Sequence, residues 1–353
     1  MVFVNNPEGG GRRFYFVSFL LLSLLIVTAT AFATEKLTTC VPGYRGRVGQ
    51  YPPEKTFVNV TGYPYCAKGD GRSDDTEAIQ RAILDSLMLG RYNGASRDRV
   101  IPTYYGEKIL YLPEGTYLVS DTLWWTKEGH GLMRARVVGD GAGRSVIRLR
   151  NNAPGFTNEA NPKSLLLMST IDGNNWAHNN YVSDLTVDVG KGNVGAIALR
   201  FNANNNGGLF RLELRSSDPH HLGKYGLALM DNWPGPFLVK QLTVKGFDYG
   251  VYFRGQQYGV TFKDLTLHEQ KRAGMFSDNY PSIDGLESRN SYDVPVIQAN
   301  SENYRHTLVT DGDLEYTGPG KAQSPAIKIS KGRGVFRSIT TRGYSTAIYS
   351  TRG

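Results

Sequence analysis

The sequence predicts an all-β fold: a parallel β-helix with one capping α-helix near its N-terminus. Two interleaved repeats and the composition carry that prediction. Aromatic residues make up 11% and glycines number 41 among 353 residues, which suits strands joined by tight turns. Apolar content of 40% and charged content of 20% exclude a disordered tail or a coiled coil. Two cysteines exclude a disulfide-dense miniprotein and a multi-cysteine zinc site. No second long apolar run exists, so a polytopic membrane protein is excluded.

Read in order, the chain opens with a leader. Arg12 and Arg13 precede an uncharged run, Phe14 to Val27, followed by Ala31-Phe-Ala33. This pattern describes a signal peptide over 1–33, and the run is short for a membrane anchor. The expected location is therefore extracellular or periplasmic, with no membrane contact after cleavage. Residues 34–57 form an N-terminal extension. In an oxidising compartment Cys40 and Cys66 can bridge a loop of about 26 residues; two unpaired thiols are the alternative. Asn59-Val60-Thr61 is a glycosylation sequon.

The helix comes next. Asp75-Thr-Glu-Ala-Ile-Gln-Arg-Ala-Ile-Leu84 puts Ala78, Ile79, Ala82 and Ile83 on one face, with Asp74 or Asp75 as N-cap. An amphipathic helix laid across the end of a β-helix blocks its unpaired strand edges. Ile109-Leu-Tyr-Leu-Pro113, Thr116-Tyr-Leu-Val119, Val137-Val138 and Val146-Ile-Arg-Leu149 read as the first coils.

Beyond Tyr181 one phrase recurs: a small or polar residue, Leu or Ile, then alternation. Its copies are Asp184-Leu-Thr-Val-Asp188, Arg211-Leu-Glu-Leu-Arg215, Gln241-Leu-Thr-Val-Lys245 and Asp264-Leu-Thr-Leu-His268. Weaker copies begin at Gly285, Asp313 and Ser338. The lead residues are Leu185, Leu212, Leu242, Leu265, Leu286, Leu314 and Ile339, separated by 21 to 30 residues. A second phrase lies between them, as in Gly195-Ala-Ile-Ala-Leu199, Gly226-Leu-Ala-Leu229, Gly250-Val-Tyr-Phe253 and Ala326-Ile-Lys-Ile329. Period-two alternation is a strand signal. A lone coil cannot bury its inward row, whereas coils stacked at about 4.8 Å do. A β-sandwich with similar strand lengths is the competing architecture. Thr346-Ala-Ile-Tyr-Ser350 is the last strand, and nothing after it caps the stack. The expectation is a β-helix over 58–353 that is truncated, or closed by another subunit.

The stretch from Val60 to Ile83, Leu110-Tyr-Leu-Pro-Glu-Gly-Thr-Tyr-Leu-Val119 and Arg136-Val-Val-Gly-Asp-Gly-Ala-Gly143 resemble the pectate-lyase-like superfamily. The resemblance is to its rhamnogalacturonase/epimerase-like branch, also found in family 55 β-1,3-glucanases and phage tailspikes. It implies a single-stranded right-handed β-helix acting on polysaccharide, and it carries over no catalytic residue. Of the four motifs of family 28 polygalacturonases, N-T-D and R-I-K are absent. A D-D pair occurs at Asp74-Asp75, at the start of the helix, and a G-H-G at Gly129-His130-Gly131, but both lie ahead of the repeats and without the other two, so the set is not assembled. In family 55 enzymes the catalytic site lies between two tandem β-helices, and this chain has room for one.

Candidate chemistry follows from the phrase. Residues one and three after each lead position point outward. The first column is Thr186, Glu213, Thr243, Thr266, Glu287, Glu315 and Thr340; the second is Asp188, Arg215, Lys245, His268, Arg289, Thr317 and Arg342. Arg215, Lys245, His268 and Arg289 form a basic ladder suited to an acidic polysaccharide, unless neighbouring glutamates neutralise it. Glu287 and Glu315 are expected side by side, with Asp313 and Glu315 on one side of one strand. Glu287, Asp313 and Glu315 are thus the catalytic candidates for glycoside hydrolysis, with Asp264 a weaker partner. A lyase would draw its base from Lys245, His268, Arg254 or Arg289. Tyr252, with Phe276, Lys328 and Tyr349, offers an outward row that can stack on sugars; Trp124, Trp125 and Trp233 belong to the same question.

Other signals carry no chemistry. Gly139-Asp-Gly-Ala-Gly143 lacks the helix that a dinucleotide loop needs, and Asp70-Gly-Arg-Ser-Asp74 lacks calcium-loop spacing. No cofactor or metal is expected, and export argues against nucleic acid. The expected function is a secreted polysaccharide-degrading glycoside hydrolase. The alternatives are a lyase acting by β-elimination on polyuronate, or a non-catalytic glycan-binding or adhesion β-helix.

Overall fold

The computed structural model describes Cys40 and residues 56–93, 100–170, 175–255, 258–301 and 305–351. The expected leader, and most of the extension after it, lie outside the described residues. Cys40 and Cys66 form a disulfide with Cα atoms 5.4 Å apart. Among the described residues, no helix is long and apolar enough to cross a membrane.

Two parallel sheets run the length of the molecule. The long-strand sheet follows the path Phe57–Asn59, Ile109–Leu112, Arg136–Gly139, Ala177–Asp188, Asn204–Arg215, Leu238–Lys245, Val260–His268, Pro281–Asn290, His306–Tyr316 and Arg333–Arg342. The short-strand sheet runs from Leu123–Trp124 through Lys163–Met168, Ala196–Phe201, Tyr225–Leu229, Tyr249–Phe253, Ala273–Ser277, Ile297–Asn300 and Ile327–Lys331 to Ile348–Ser350. From Lys163 onward the chain alternates between the sheets, so each coil there adds one strand to each. This is a parallel β-helix, and the general handedness of parallel crossovers makes it right-handed. One hairpin departs from it: Leu87–Asn93 pairs antiparallel with Val100–Gly106.

Leu185, Leu212, Leu242, Leu265 and Leu286 stack in register, and none is more than 2% exposed. Each buried leucine stabilises the stack by about 1.5–3 kcal/mol. The next rung departs from expectation. Leu286 meets Gly312, and Leu314 lies two residues further on, beside Ser288. Ile339 takes the rung after that, and its side chain occupies the space beside Gly312.

The cause is a bend within each long strand. Asp184, Arg211, Gln241, Asp264, Gly285, Asp311 and Ser338 all have left-handed φ between 53° and 79°. Each precedes the residue on the leucine rung. Left-handed φ fits a short polar side chain or glycine better than a bulky one, and every copy except Arg211 and Gln241 follows that preference. Within 306–316 the bend residue is Asp311 rather than Asp313, so the outward columns shift by two.

The helix spans Thr76–Asp85, with Asp75 as N-cap residue and Ile79, Ala82 and Ile83 buried. The Asp75 carboxylate accepts from the amides of Lys68 and Gly69 instead of capping the helix. The helix packs against Phe57–Asn59, Leu87–Asn93 and Leu123–Trp124.

Candidate functional site

The second half of each long strand presents two outward columns. With the register corrected, the first reads Glu213, Thr243, Thr266, Glu287, Asp313, Thr340 and the second Arg215, Lys245, His268, Arg289, Glu315, Arg342. Glu287 is therefore the direct neighbour of Asp313, and the expected Glu287–Glu315 pairing does not form. Glu315 stands beside Arg289 instead, in the place expected for Thr317. Asp313 and Glu315 do share one side of their strand, alternating with buried Leu314.

The basic ladder is largely neutralised. Arg215 contacts Asp188 at 3.0 Å and Glu213 at 3.1 Å. Arg289 contacts Glu287 at 3.3 Å and pairs with Glu315. Arg342 contacts Asp313 at 2.7 Å and Glu315 at 3.5 Å. Lys245 alone of the four ladder residues has no acidic partner among the described residues. His268 Nε2 lies 3.8 Å from Glu287. Burial pushes His268 below the usual histidine range, while Glu287 opposes the shift. The Arg342 guanidinium holds the Asp313 carboxyl below the ordinary carboxylate range.

Asp264, Thr266, Glu287, Asp311, Asp313 and Ser338 line a groove of about 440 Å³ across the bend. Its carboxylates come from three successive coils. Among the described residues, no three His, Cys, Asp or Glu side chains gather as metal ligands.

The outer face of the short-strand sheet carries aromatic rings. Tyr252 stacks on Tyr225, with centroids 4.2 Å apart, and on Phe276 at 5.3 Å. The stack rests on Ile197 and Ala228, in an apolar cluster separate from the helix interior. Arg254 is tied to Asp278 at 2.9 Å, which withdraws it as a free base. Of the tryptophans, Trp125 is buried, Trp124 lies under Lys127, and Trp233 packs on Tyr258 at 5.3 Å.

Two features escaped the sequence reading. Arg200 grips Asp231, which also accepts from Ser169. Three buried or half-buried polar groups are thereby satisfied at a corner of the coils. The second is a groove of about 530 Å³ beside Tyr258, Tyr280 and His306. Aromatic residues entering successive long strands at the coil spacing were its signal.

Residues 57–297 match the model of the family described as rhamnogalacturonase A/epimerase, pectate lyase-like. A probable glucan endo-1,3-beta-glucosidase of Arthroderma benhamiae is 27% identical over 320 residues, covering 85% of this chain and 33% of that protein. The non-secreted LysM effector LysM15 of Penicillium expansum is 28% identical over 235 residues, covering 63% of this chain and 15% of its own length. The chain thus spans a third or less of these relatives. Among solved structures, Geobacillus virus E2 ORF18 superimposes with TM-score 0.50 at 14% identity, over 93% of this chain and 63% of that one. At that identity the likeness concerns the fold alone.

Proposed function

Since the chain belongs to the rhamnogalacturonase A/epimerase, pectate lyase-like family, we propose that it is a secreted carbohydrate-active β-helix protein that hydrolyses a polysaccharide. The observation that carries this reading is the in-register pair Glu287 and Asp313 in an open groove. Neighbouring parallel strands stand about 4.8 Å apart. That spacing approaches the separation of about 5–5.5 Å used by retaining glycosidases. Asp313, held ionised by Arg342, suits the nucleophile that attacks the anomeric carbon. Glu287 then gives its proton to the leaving oxygen and later takes one from water. The named activity of the Arthroderma relative supports a glucan as substrate. Secretion is supported by the leader pattern at 1–33 and by the Cys40–Cys66 bridge, which belongs in an oxidising compartment.

Incubation with a panel of neutral glucans and polyuronates tests the reading. New reducing ends are expected from a glucan. Glu287→Gln and Asp313→Asn should each lower the rate by at least about 10²-fold. Ultraviolet absorbance from unsaturated uronates would instead establish elimination.

A second reading is glycan binding without cleavage. The guanidinium contacts at Glu287 and Asp313 favour it, because both carboxylates are already engaged in ion pairs within the protein. Binding to the panel with neither product would establish it.

A further inference from the structure

Resting on the glycan reading above, we infer that the groove over Gly259–Thr261 seats a ring of a neutral polysaccharide. Tyr258, Val260, Tyr280 and His306 line it. Trp233 backs Tyr258 with ring centroids 5.3 Å apart, and His306 lies edge-on to Tyr280 at 5.8 Å. Aromatic faces cover the apolar face of a ring, and hydroxyls take its polar edge. The hydroxyls of Tyr258, Thr261, Tyr280 and Ser282 have no hydrogen-bond partner among the described residues.

The lining has no Asp, Glu, Lys or Arg. Arg305 stands over the Tyr280 ring, but its guanidinium donates to the carbonyls of Asp278 and Gly255. A polyuronate would bring its negative charges to a lining that holds no fixed cation, whereas a neutral hexose needs only the rings and hydroxyls present. Charge therefore selects the occupant.

Backbone geometry supports a built site. Trp233 and Tyr258 both have φ of 60°, a left-handed conformation that is a genuine outlier for bulky residues. Such outliers gather where side-chain placement matters. Gly259 lets the coils carrying Tyr258 and Tyr280 approach closely, since a Cβ there would lie 2.5 Å from the Tyr280 carbonyl oxygen. Ser282 and Glu287 share the strand Pro281–Asn290. At about 3.3 Å per residue, the groove lies within roughly 16 Å of the acid pair. A glycan running across the coils reaches both.

The test is tryptophan fluorescence of the full chain, titrated with a β-1,3-linked glucan oligosaccharide and separately with a polyuronate oligosaccharide. A saturable change with the neutral probe, lost in Trp233→Phe, is expected. Tyr258→Ala and Tyr280→Ala should weaken binding at least about tenfold, and Tyr258→Phe, which keeps the ring, by less than about threefold. Glu287→Gln should bind normally while losing cleavage. Unchanged affinity in both alanine variants, with cleavage still dependent on Glu287, overturns the groove and leaves the hydrolase reading standing. Preference for the polyuronate overturns the neutral assignment. Binding of neither probe and cleavage of no polysaccharide overturns the groove together with the glycan reading beneath it.

Discussion

Leu265→Ala probes the stack most sharply. Leu265 is 1% exposed and lies in register between Leu242 and Leu286. Truncation removes its contact with both neighbours at once and leaves a cavity that two packed rungs cannot easily close. Comparable buried truncations cost about 2–5 kcal/mol, and this central rung should fall near the upper half of that range. Each coil rests only on its neighbours, so the loss is felt on both sides of the cavity. Thr266, one residue on, faces outward. Thr266→Ala should change stability by no more than about 0.5 kcal/mol. Urea unfolding followed by circular dichroism and by fluorescence measures both, read as a shift of midpoint at constant slope. Equal midpoints for the two variants, or a larger loss at Thr266, would refute the inward and outward alternation on which every surface column rests.

Gly139→Ala should cost about 1–3 kcal/mol by overpacking, because its Cβ would lie 2.3 Å from the Asp184 carbonyl oxygen; the urea midpoint reports it. His268 should titrate below the usual histidine range in an NMR pH series, and lower still in Glu287→Gln, which removes the carboxylate that opposes the shift. Because its folded pKa lies below the unfolded one, the stability it contributes is complete above the ordinary histidine pKa. That contribution is lost as pH falls through the folded value. His268→Gln should therefore flatten the acid limb of melting temperature against pH below about pH 6.5.

The leucine rungs were legible because stacking in register demands the same residue class in every coil. The register of 285–316 was not. Asp313-Leu314-Glu315 imitates the phrase at Asp184 and Asp264, yet Asp311 takes the bend. The clue lay in Asp311-Gly312, a dipeptide suited to turning the chain, whose glycine must stay small beside Ile339. The pairing of Arg289 with Glu287 within one strand was legible as neutralisation of the ladder, but the ion pairs of Arg289 with Glu315 and of Arg342 with Asp313 follow from the two-residue shift, so a reading with Glu315 beside Glu287 could not find them. The Tyr258 groove depends on left-handed φ at aromatic residues, which local preference argues against and the surrounding coils enforce.

The most direct measurement is disulfide trapping between adjacent coils. Glu287→Cys with Asp313→Cys should oxidise readily, since neighbouring rungs about 4.8 Å apart fall within disulfide reach. Glu287→Cys with Glu315→Cys, about 8 Å apart on the diagonal, should stay reduced under the same conditions. The reverse outcome would contradict the stacking register, and with it the pairing of Glu287 and Asp313 from which the proposed chemistry is built.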